Sequence, residues 1–197
     1  MTGRHSSSRT AWVGVVCLAV CLALPVGGQS QRRIAYASQR VRNTDVRIMK
    51  ASGDDDRRVT THPTEDRHPT WSPDGRQIAF TSDRDSVSRV YVVNLDGTGL
   101  RRLTDDPVRA LGPDRRPRGS RVFYSVWDEG FPGQVFTVDA ETGRVRKVTG
   151  TPIQWESDPE WSPDGEFIAT SWWEFPNVRI VSPSDIAIIR DDGEHVA

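Results

Sequence analysis

The sequence predicts an all-β fold, a β-propeller of about four blades, each an antiparallel four-stranded sheet. Three observations predict it: a turn motif that recurs along the chain, short apolar strands at a nearly constant spacing, and no convincing helical periodicity after residue 28. The chain has 197 residues, enough for one domain with a sizeable core, and a charged content of 27%, which is ordinary for a globular protein.

The recurring motif is a tight turn. Trp71-Ser72-Pro73-Asp74-Gly75 returns 90 residues later as Trp161-Ser162-Pro163-Asp164-Gly165. Proline fixes φ for the second position of a turn, aspartate hydrogen-bonds its own backbone, and glycine supplies the positive φ that closes the turn. Halfway between the two copies, Gly112-Pro113-Asp114 is interpreted as a degraded copy with an insertion before Gly119.

Short apolar strands accompany the turns. The first strands begin at residues 34, 78, 122 and 168, which gives repeat lengths of 44, 44 and 46 residues. The second strands are Val46–Met49, Val90–Val93, Val135–Val138 and Ile186–Ile189, and the third are Val59-Thr60, Leu103-Thr104 and Val148-Thr149. Asp96-Gly97 and Asp192-Gly193 are hairpin signals. Four strands in about 44 residues is the pattern of a propeller blade.

The segment from His68 to Asp106, HPTWSPDGRQIAFTSDRDSVSRVYVVNLDGTGLRRLTDD, resembles the WD40-like β-propeller repeat of the TolB family. The resemblance implies that strands A to D of each blade run outward from the propeller axis, and that Trp71 and Trp161, which end strand A, pack between blades. The repeats divide the chain into blades at about 32–61, 68–104, 110–149 and 158–197. The first blade lacks strand A and the last lacks strand D, so we expect an arc of a larger ring.

Residues 1–28 have the layout of a secretory signal peptide. A basic start precedes an apolar run from Ala11 to Leu24, and small, turn-forming residues follow it. The run is short for a bilayer-spanning helix, which needs about 20 residues, so cleavage is expected and an uncleaved anchor is the alternative. The mature chain, 29–197, is expected to be periplasmic or secreted, without a membrane span. It would contain no cysteine, because Cys17 and Cys21 lie in the apolar run.

Antiparallel topology sorts the connections of a blade onto two faces. The A–B and C–D turns, short and regular, share what we call the turn face, whereas the longer B–C and D–A loops share the irregular face. The candidate partner-binding residues are aromatic and acidic residues of the irregular face and two positions at the start of strand A, nearest the axis: Trp127, Asp128, Glu129, Phe131, Trp155, Trp172, Trp173 and Glu174, with His68 and Asp158.

Exposed aromatics beside acids are typical of surfaces that bind proteins or peptides. The alternative is that these loop aromatics only pack on one another or on further blades. We expect the irregular face to be net acidic and the turn face to offer only small polar tips. The residues assigned to the irregular face are the acids Glu65, Asp66, Asp83, Asp85, Asp105, Asp106, Asp128, Glu129, Glu156 and Glu174 and the arginines Arg40, Arg42, Arg67, Arg84 and Arg109.

Signals for enzyme or metal chemistry are poor, so no catalytic, cofactor-binding or metal-binding residue is assigned. The sequence contains no Gly-x-Ser-x-Gly elbow, phosphate loop or His-Glu-x-x-His pair. Asp54-Asp55-Asp56 and Asp83-Arg84-Asp85 lack the glycine and distal acid of a calcium loop and are interpreted as solvated hairpin tips. A net charge of -1 argues against a nucleic-acid partner, and the arginines between 115 and 121 are interpreted as a solvated insertion.

We expect an exported, non-enzymatic propeller that acts as a protein-interaction scaffold. The family resemblance implies that its partner, a protein or peptide, belongs to the cell envelope. Unpaired strand edges at both ends of the arc also predict self-association. The same repeats resemble the propellers of prolyl-oligopeptidase-like serine peptidases and of oligogalacturonate lyases. A propeller that belongs to such an enzyme is therefore the alternative.

Overall fold

The computed structural model describes residues 32–40, 43–105, 109–128, 131–149, 154–174 and 185–190. These residues form four antiparallel sheets. The first contains β1 (Arg33–Arg40), β2 (Asn43–Lys50) and β3 (Arg57–Arg58); the second β4 (Asp66–Trp71), β5 (Gln77–Ser82), β6 (Arg89–Asn94) and β7 (Arg101–Arg102); the third β8 (Arg109–Arg115), β9 (Arg121–Asp128), β10 (Phe131–Asp139) and β11 (Val145–Lys147); the fourth β12 (Gln154–Trp161), β13 (Phe167–Glu174) and β14 (Asp185–Arg190).

Each sheet is one blade, and neighbouring strands in each blade are consecutive in the chain. The second and third blades have all four strands, A to D. In the described ranges the first blade has strands B to D and the fourth has strands A to C. The predicted all-β propeller of about four antiparallel blades is therefore confirmed. The described residues contain no helix of the length and apolarity needed to cross a membrane.

Each of the three described D strands is followed, two residues later, by a buried threonine that caps the blade. The ladder of strand D lies slightly earlier than predicted, at β3, β7 and β11, and the apolar-Thr pairs follow it. The hydroxyl of each threonine accepts a hydrogen bond from a backbone N–H of strand C, at 3.0 Å from Val46, 3.1 Å from Val90 and 3.0 Å from Val135. The repeated threonine thus satisfies a buried donor that the short strand D does not reach.

We expect Thr104→Val to lower the free energy of unfolding by about 1–3 kcal/mol, because the buried N–H of Val90 loses its acceptor while the side-chain volume is kept. Thr104→Ser is the matched control, since it retains the hydroxyl and removes only a methyl group. Urea unfolding measures both variants. A valine variant as stable as the wild-type chain would contradict this role of the threonine.

The cores of the fold lie between neighbouring blades. Trp71 is 6% exposed and packs with Ile48 of the first blade and Phe80 of its own. Between the third and fourth blades, the rings of Trp161 and Phe123 lie 4.4 Å apart. Both tryptophans therefore fill junctions between blades.

Arginines of strand D also join neighbouring blades. Arg57 of the first blade donates a hydrogen bond to the carbonyl of Leu95 in the second, at 2.8 Å. Arg101, at the equivalent position of the second blade, donates to the carbonyl of Ala140 in the third. The same contact is therefore repeated 44 residues later along the chain, as expected for a propeller built from one unit.

The interpretation of Gly112-Pro113-Asp114 as a degraded turn is wrong, because these residues lie inside β8. The turn of the third blade is Arg116-Pro117-Arg118-Gly119, whose glycine has a φ of 85°, beside 67° and 76° in the other two turns. Arg115 therefore stands where the other blades have Trp71 and Trp161. Pro117 and Gly119, at the right separation, make this turn, whereas Pro113 lies four residues before Pro117.

Gly112 instead marks a β-bulge that is common to all three described A strands. Pairing with strand B shifts around His68-Pro69, Leu111–Asp114 and Asp158-Pro159. Proline lacks a backbone donor and is tolerated in a strand at such irregular positions. The residue before the proline has positive φ in two of the blades, 50° at His68 and 55° at Gly112. The bulge is thus a second repeated feature of the unit.

Candidate functional site

The backbone places the predicted aromatic residues at the strand ends of the irregular face. Trp127 pairs with Arg109 near the end of β9, and Trp155 lies opposite Trp173 across β12 and β13. Trp127 and Trp173 are equivalent, since each lies five residues after the strand B residue that pairs with the last residue of strand A, at 122 and 168. The backbone therefore brings equivalent aromatic positions of the third and fourth blades to the same face.

Two details differ from the sequence interpretation. Trp155 lies in strand β12 and not in a D–A loop, and Trp172-Trp173-Glu174 belongs to β13 and not to a B–C loop. Aromatic side chains favour extended, half-buried strands, so they lengthen the hairpin beyond the apolar core residues. Phe131 begins β10 opposite Asp128.

The side chains of most candidate residues lie outside the described part of the chain. This applies to Trp127, Asp128, Phe131, Trp155, Asp158, Trp172, Trp173 and Glu174, of which only the backbone is described, and to the whole of Glu129. Their role in binding a partner stays a prediction. His68 is described: it is exposed and occupies the bulge of β4 that corresponds to Asp158 in β12.

The B–C loop of the second blade, residues 83–88, is held by a buried ion pair. Nη2 of Arg84 lies 3.0 Å from Oδ1 of Asp66, and the two side chains are 10% and 0% exposed. The guanidinium also lies over two aromatic rings, 5.4 Å from the centroid of Phe80 and 4.6 Å from that of Tyr91. The interpretation of Asp83-Arg84-Asp85 as a solvated tip is wrong for Arg84, because the arginine covers the aromatic end of the blade.

A second set of contacts fixes the outer side of this loop. The Tyr91 hydroxyl donates a hydrogen bond to Asp85, and Arg102 donates one to the same carboxylate at 2.8 Å. These bonds lower the pKa of Asp85, and burial with the bond to Asp85 raises the pKa of Tyr91 to about 12. Ser88 closes the loop by donating to Asp83. Residues 83–88 therefore form a preorganised loop on the irregular face.

The described part of the irregular face is not clearly acidic. Asp66, predicted as an exposed acid, is fully buried. Arg102, which the sequence analysis did not assign to this face, pairs with both Asp85 and Asp105, at 2.8 and 2.5 Å. Strand D of this blade, β7, is only two residues long, so Arg102 at its end can contact acids of the loops beside it. Glu65 pairs with Arg67, also predicted, so arginines oppose most of the described acids.

Asp114 joins the inner strands of three blades. The sequence analysis interpreted it as a turn residue and so did not identify this role. Its carboxylate accepts hydrogen bonds from the Thr70 hydroxyl at 3.1 Å, from the Trp161 N–H at 2.9 Å and from the Arg115 N–H at 2.9 Å. Burial raises the pKa of Asp114, although all three hydrogen bonds act in the opposite direction. Its position in the repeat, the same as Thr70 and Glu160 of the neighbouring strands, could have revealed that it lies near the axis.

The turn aspartates bond to their own turns. Oδ1 of Asp74 accepts from Oγ of Ser72 at 2.6 Å, and the equivalent distance from Ser162 to Asp164 is 2.5 Å. These hydroxyl bonds, helped by backbone N–H groups, lower the pKa of Asp74 and of Asp164. The chemistry is local, so it depends only on residues within the turn.

Asp139, at the C–D turn of the third blade, predicts how the stability of the fold depends on acidic pH. Asp139 accepts bonds from the Ser120 hydroxyl at 2.6 Å and the Thr142 N–H at 2.8 Å, which lower its pKa to about 2. Because the folded pKa is lower than the unfolded one, the aspartate stabilises the fold above about pH 4, and this contribution is lost as the pH falls towards 2. Asp139→Asn should flatten the decline in unfolding midpoint between pH 4 and 2. If the unfolding midpoint of the variant depends on pH as that of the wild-type chain does, this role of Asp139 is contradicted.

Among the described side chains, no three histidine, cysteine, aspartate or glutamate residues lie close enough to hold a metal ion. The contacts described above can position loops and present surfaces. We therefore describe the irregular face as a candidate binding surface.

Solved structures similar to this chain include two TolB proteins and a puromycin hydrolase. The chain is 21% identical to a protein described as TolB from Agrobacterium tumefaciens, with a TM-score of 0.70, over 83% of this chain and 60% of that one. It is 22% identical to TolB from Acinetobacter baumannii, with a TM-score of 0.63, over 80% of this chain and 38% of that one. A puromycin hydrolase is 11% identical, with a TM-score of 0.66, over 83% of this chain and 26% of the hydrolase.

These likenesses show a shared fold, and this chain spans less than two thirds of each of the three solved chains. A search of curated proteins gives no match. The sequence profile of the TolB beta propeller domain matches residues 25–168, which is well over half of the chain. The chain therefore belongs to the TolB beta propeller domain family.

Proposed function

We propose that the chain is an exported propeller that binds an envelope protein or peptide through its irregular face. Family membership and the solved TolB structures support the propeller scaffold. The layout of residues 1–28 supports export to the periplasm or beyond it.

One observation carries the choice of face. The backbone register gathers Trp127 of the third blade and Trp155 and Trp173 of the fourth at strand ends on the irregular face. Tryptophan is enriched among residues that dominate binding energy at protein interfaces. The preorganised loop 83–88 of the second blade lies on the same face, and a rigid loop loses little conformational entropy when a partner binds.

A second site of association is supported by an exposed apolar side chain. Ile186 is 72% exposed, whereas Val90 and Val135, at the same position of the second and third blades, are 0% exposed. This side chain favours self-association through the last blade.

The second candidate is a propeller that belongs to a peptidase. The puromycin hydrolase and a prolyl endopeptidase, with TM-scores of 0.66 and 0.58, support it. The genomic sequence downstream of the codon for Ala197 distinguishes the two candidates. A domain with a Gly-x-Ser-x-Gly elbow favours the peptidase, and further blades alone favour the scaffold.

We expect Trp127→Ala and Trp173→Ala each to weaken capture of the envelope partner by about 2 kcal/mol or more, because truncation removes a large apolar anchor from the centre of the interface. The measurement is a pull-down from envelope extract, with binding quantified against protein concentration. Circular dichroism establishes that each variant keeps its β structure.

The matched control is Leu100→Ala. Leu100 is a large apolar residue, 47% exposed, in the C–D turn of the second blade, on the turn face. Its truncation should leave capture unchanged. If both tryptophan variants stay folded and bind fully, the aromatics only pack on the protein itself and the proposed site is wrong.

A further inference from the structure

Arg115 is a buried cation in a position that the other blades give to tryptophan. It ends strand A of the third blade, pairs with Val122, and is 8% exposed. The corresponding residues, Trp71 and Trp161, fill the junctions between blades. The interpretation of the arginines from 115 to 121 as a solvated insertion is therefore wrong for Arg115. A tryptophan here would fill the junction without burying a charge, so packing does not explain the arginine.

The donors of Arg115 that lack partners form one edge of its guanidinium. Nε and Nη2 are both buried, and neither has a hydrogen-bond partner among the residues that the structure describes. The N–H bonds of these two atoms are parallel and lie on the same side of the planar group. Their spacing matches the two oxygens of a carboxylate, which such an edge binds bidentately.

The surrounding charges leave this edge electropositive. Asp74 attracts Arg115 and Arg101 repels it, and Asp74 is shared with Arg76, so the positive charge of Arg115 is not balanced. Oδ1 of Asp74 already accepts bonds from Ser72 and from the N–H of Arg76. Burial lowers the pKa of Arg115 to about 10, which still leaves it charged at neutral pH. One further negative charge would balance the group.

We propose that Arg115 anchors a carboxylate-binding site on the turn face, at the junction of the second and third blades. The ligand is a monoanionic carboxylate that receives bidentate hydrogen bonds from Nε and Nη2, and Arg101 adds long-range attraction. The adjoining turns are exposed at Pro73, Asp74 and Arg118, so the turns that cover the guanidinium are themselves in contact with solvent. It is independent of the irregular face and of its proposed partner.

Acetate is the probe for this site. The mature chain is titrated with sodium acetate against sodium chloride at constant ionic strength, and thermal unfolding and the NMR signal of the Arg115 Nε–H are followed. We expect a saturable response, with a rise in Tm of about 3–6 °C at ten times the apparent Kd and a shift of the Nε–H resonance. A wild-type chain that responds to acetate no more than to chloride overturns the proposal.

Three variants separate the site from general charge effects. Arg115→Met should keep or raise Tm in chloride and lose the acetate response, because it fills the junction without a charge. Arg115→Lys keeps the charge and removes the bidentate edge, so acetate affinity should fall at least tenfold even if the methionine variant fails to fold. Arg118→Met removes an exposed arginine nearby and should respond like the wild-type chain. An unchanged acetate response in Arg115→Lys overturns the proposal.

The source of the carboxylate is resolved by a further titration. A short peptide with a free C-terminal carboxylate is compared with the same peptide as its C-terminal amide. Binding of the free acid but not the amide shows that a peptide carboxylate reaches Arg115, whereas binding of acetate alone assigns the site to small free carboxylates.

Discussion

Asp66→Ala should lower the free energy of unfolding by about 3–5 kcal/mol, one of the two largest effects that we expect from a single substitution in this chain. Asp66 is fully buried, and Arg84, its partner at 3.0 Å, is 10% exposed at its side chain. Removal of the carboxylate leaves the guanidinium buried without its counter-charge, above the rings of Phe80 and Tyr91. Urea unfolding followed by tryptophan fluorescence measures the loss.

The control for this prediction is an exposed acid on the same face. Asp105 pairs with Arg102, but its side chain is 80% exposed, so Asp105→Ala should cost no more than about 1 kcal/mol. Equal stability losses in the two variants would show that burial of the Asp66 pair is not what matters. The loop 83–88 should also lose amide protection from hydrogen exchange in Asp66→Ala and retain it in Asp105→Ala.

Trp71→Ala should have an effect of similar size, about 3–5 kcal/mol. Its ring fills the junction between the first two blades, packed with Ile48 and Phe80, and truncation leaves a cavity that a sheet pair cannot close. Unfolding in urea provides the measurement. Leu100→Ala, at a site that is 47% exposed, should change stability by less than about 0.5 kcal/mol. A Trp71→Ala chain with wild-type stability would place the tryptophan outside the core.

The repeating parts of the fold could be predicted because their information is local. The turn Ser72-Pro73-Asp74-Gly75 needs only the φ of proline, the carboxylate of aspartate and the permissive backbone of glycine, and each appears in sequence order. The strands that follow are β-branched and apolar. The spacing of about 44 residues then fixes the blade, because four short strands and their turns occupy that length.

The features that sequence missed depend on contacts between blades or on alignment of the repeat. Asp66 and Arg84 are 18 residues apart, and nothing in the sequence around either residue indicates that both become buried. Arg115 reads as part of a basic run until it is aligned with Trp71 by its offset from strand B, and Pro113 misdirected that alignment. The extension of β13 through Trp173 depended on cross-strand pairing with β12, which is a tertiary contact.

Of the candidate binding face, the sequence could predict which residues share the face, because this depends on topology, but not its charge. Sequence assigned Trp127 and Trp173 to one face because antiparallel blades alternate their connections, and the backbone places both near the ends of their B strands on that face. Charge was predicted less well, since Asp66 is buried and Arg102 neutralises two acids from the end of a strand that is two residues long.

Site-specific photo-crosslinking in exporting cells tests directly whether the irregular face binds the partner. A photo-reactive amino acid replaces Trp127 on the irregular face in one strain and Leu100 on the turn face in another. Binding through the irregular face predicts a discrete adduct with one envelope protein from position 127 and none from position 100. An adduct from position 100 alone, with both chains exported and folded, would contradict the assignment of the irregular face as the surface that binds the partner.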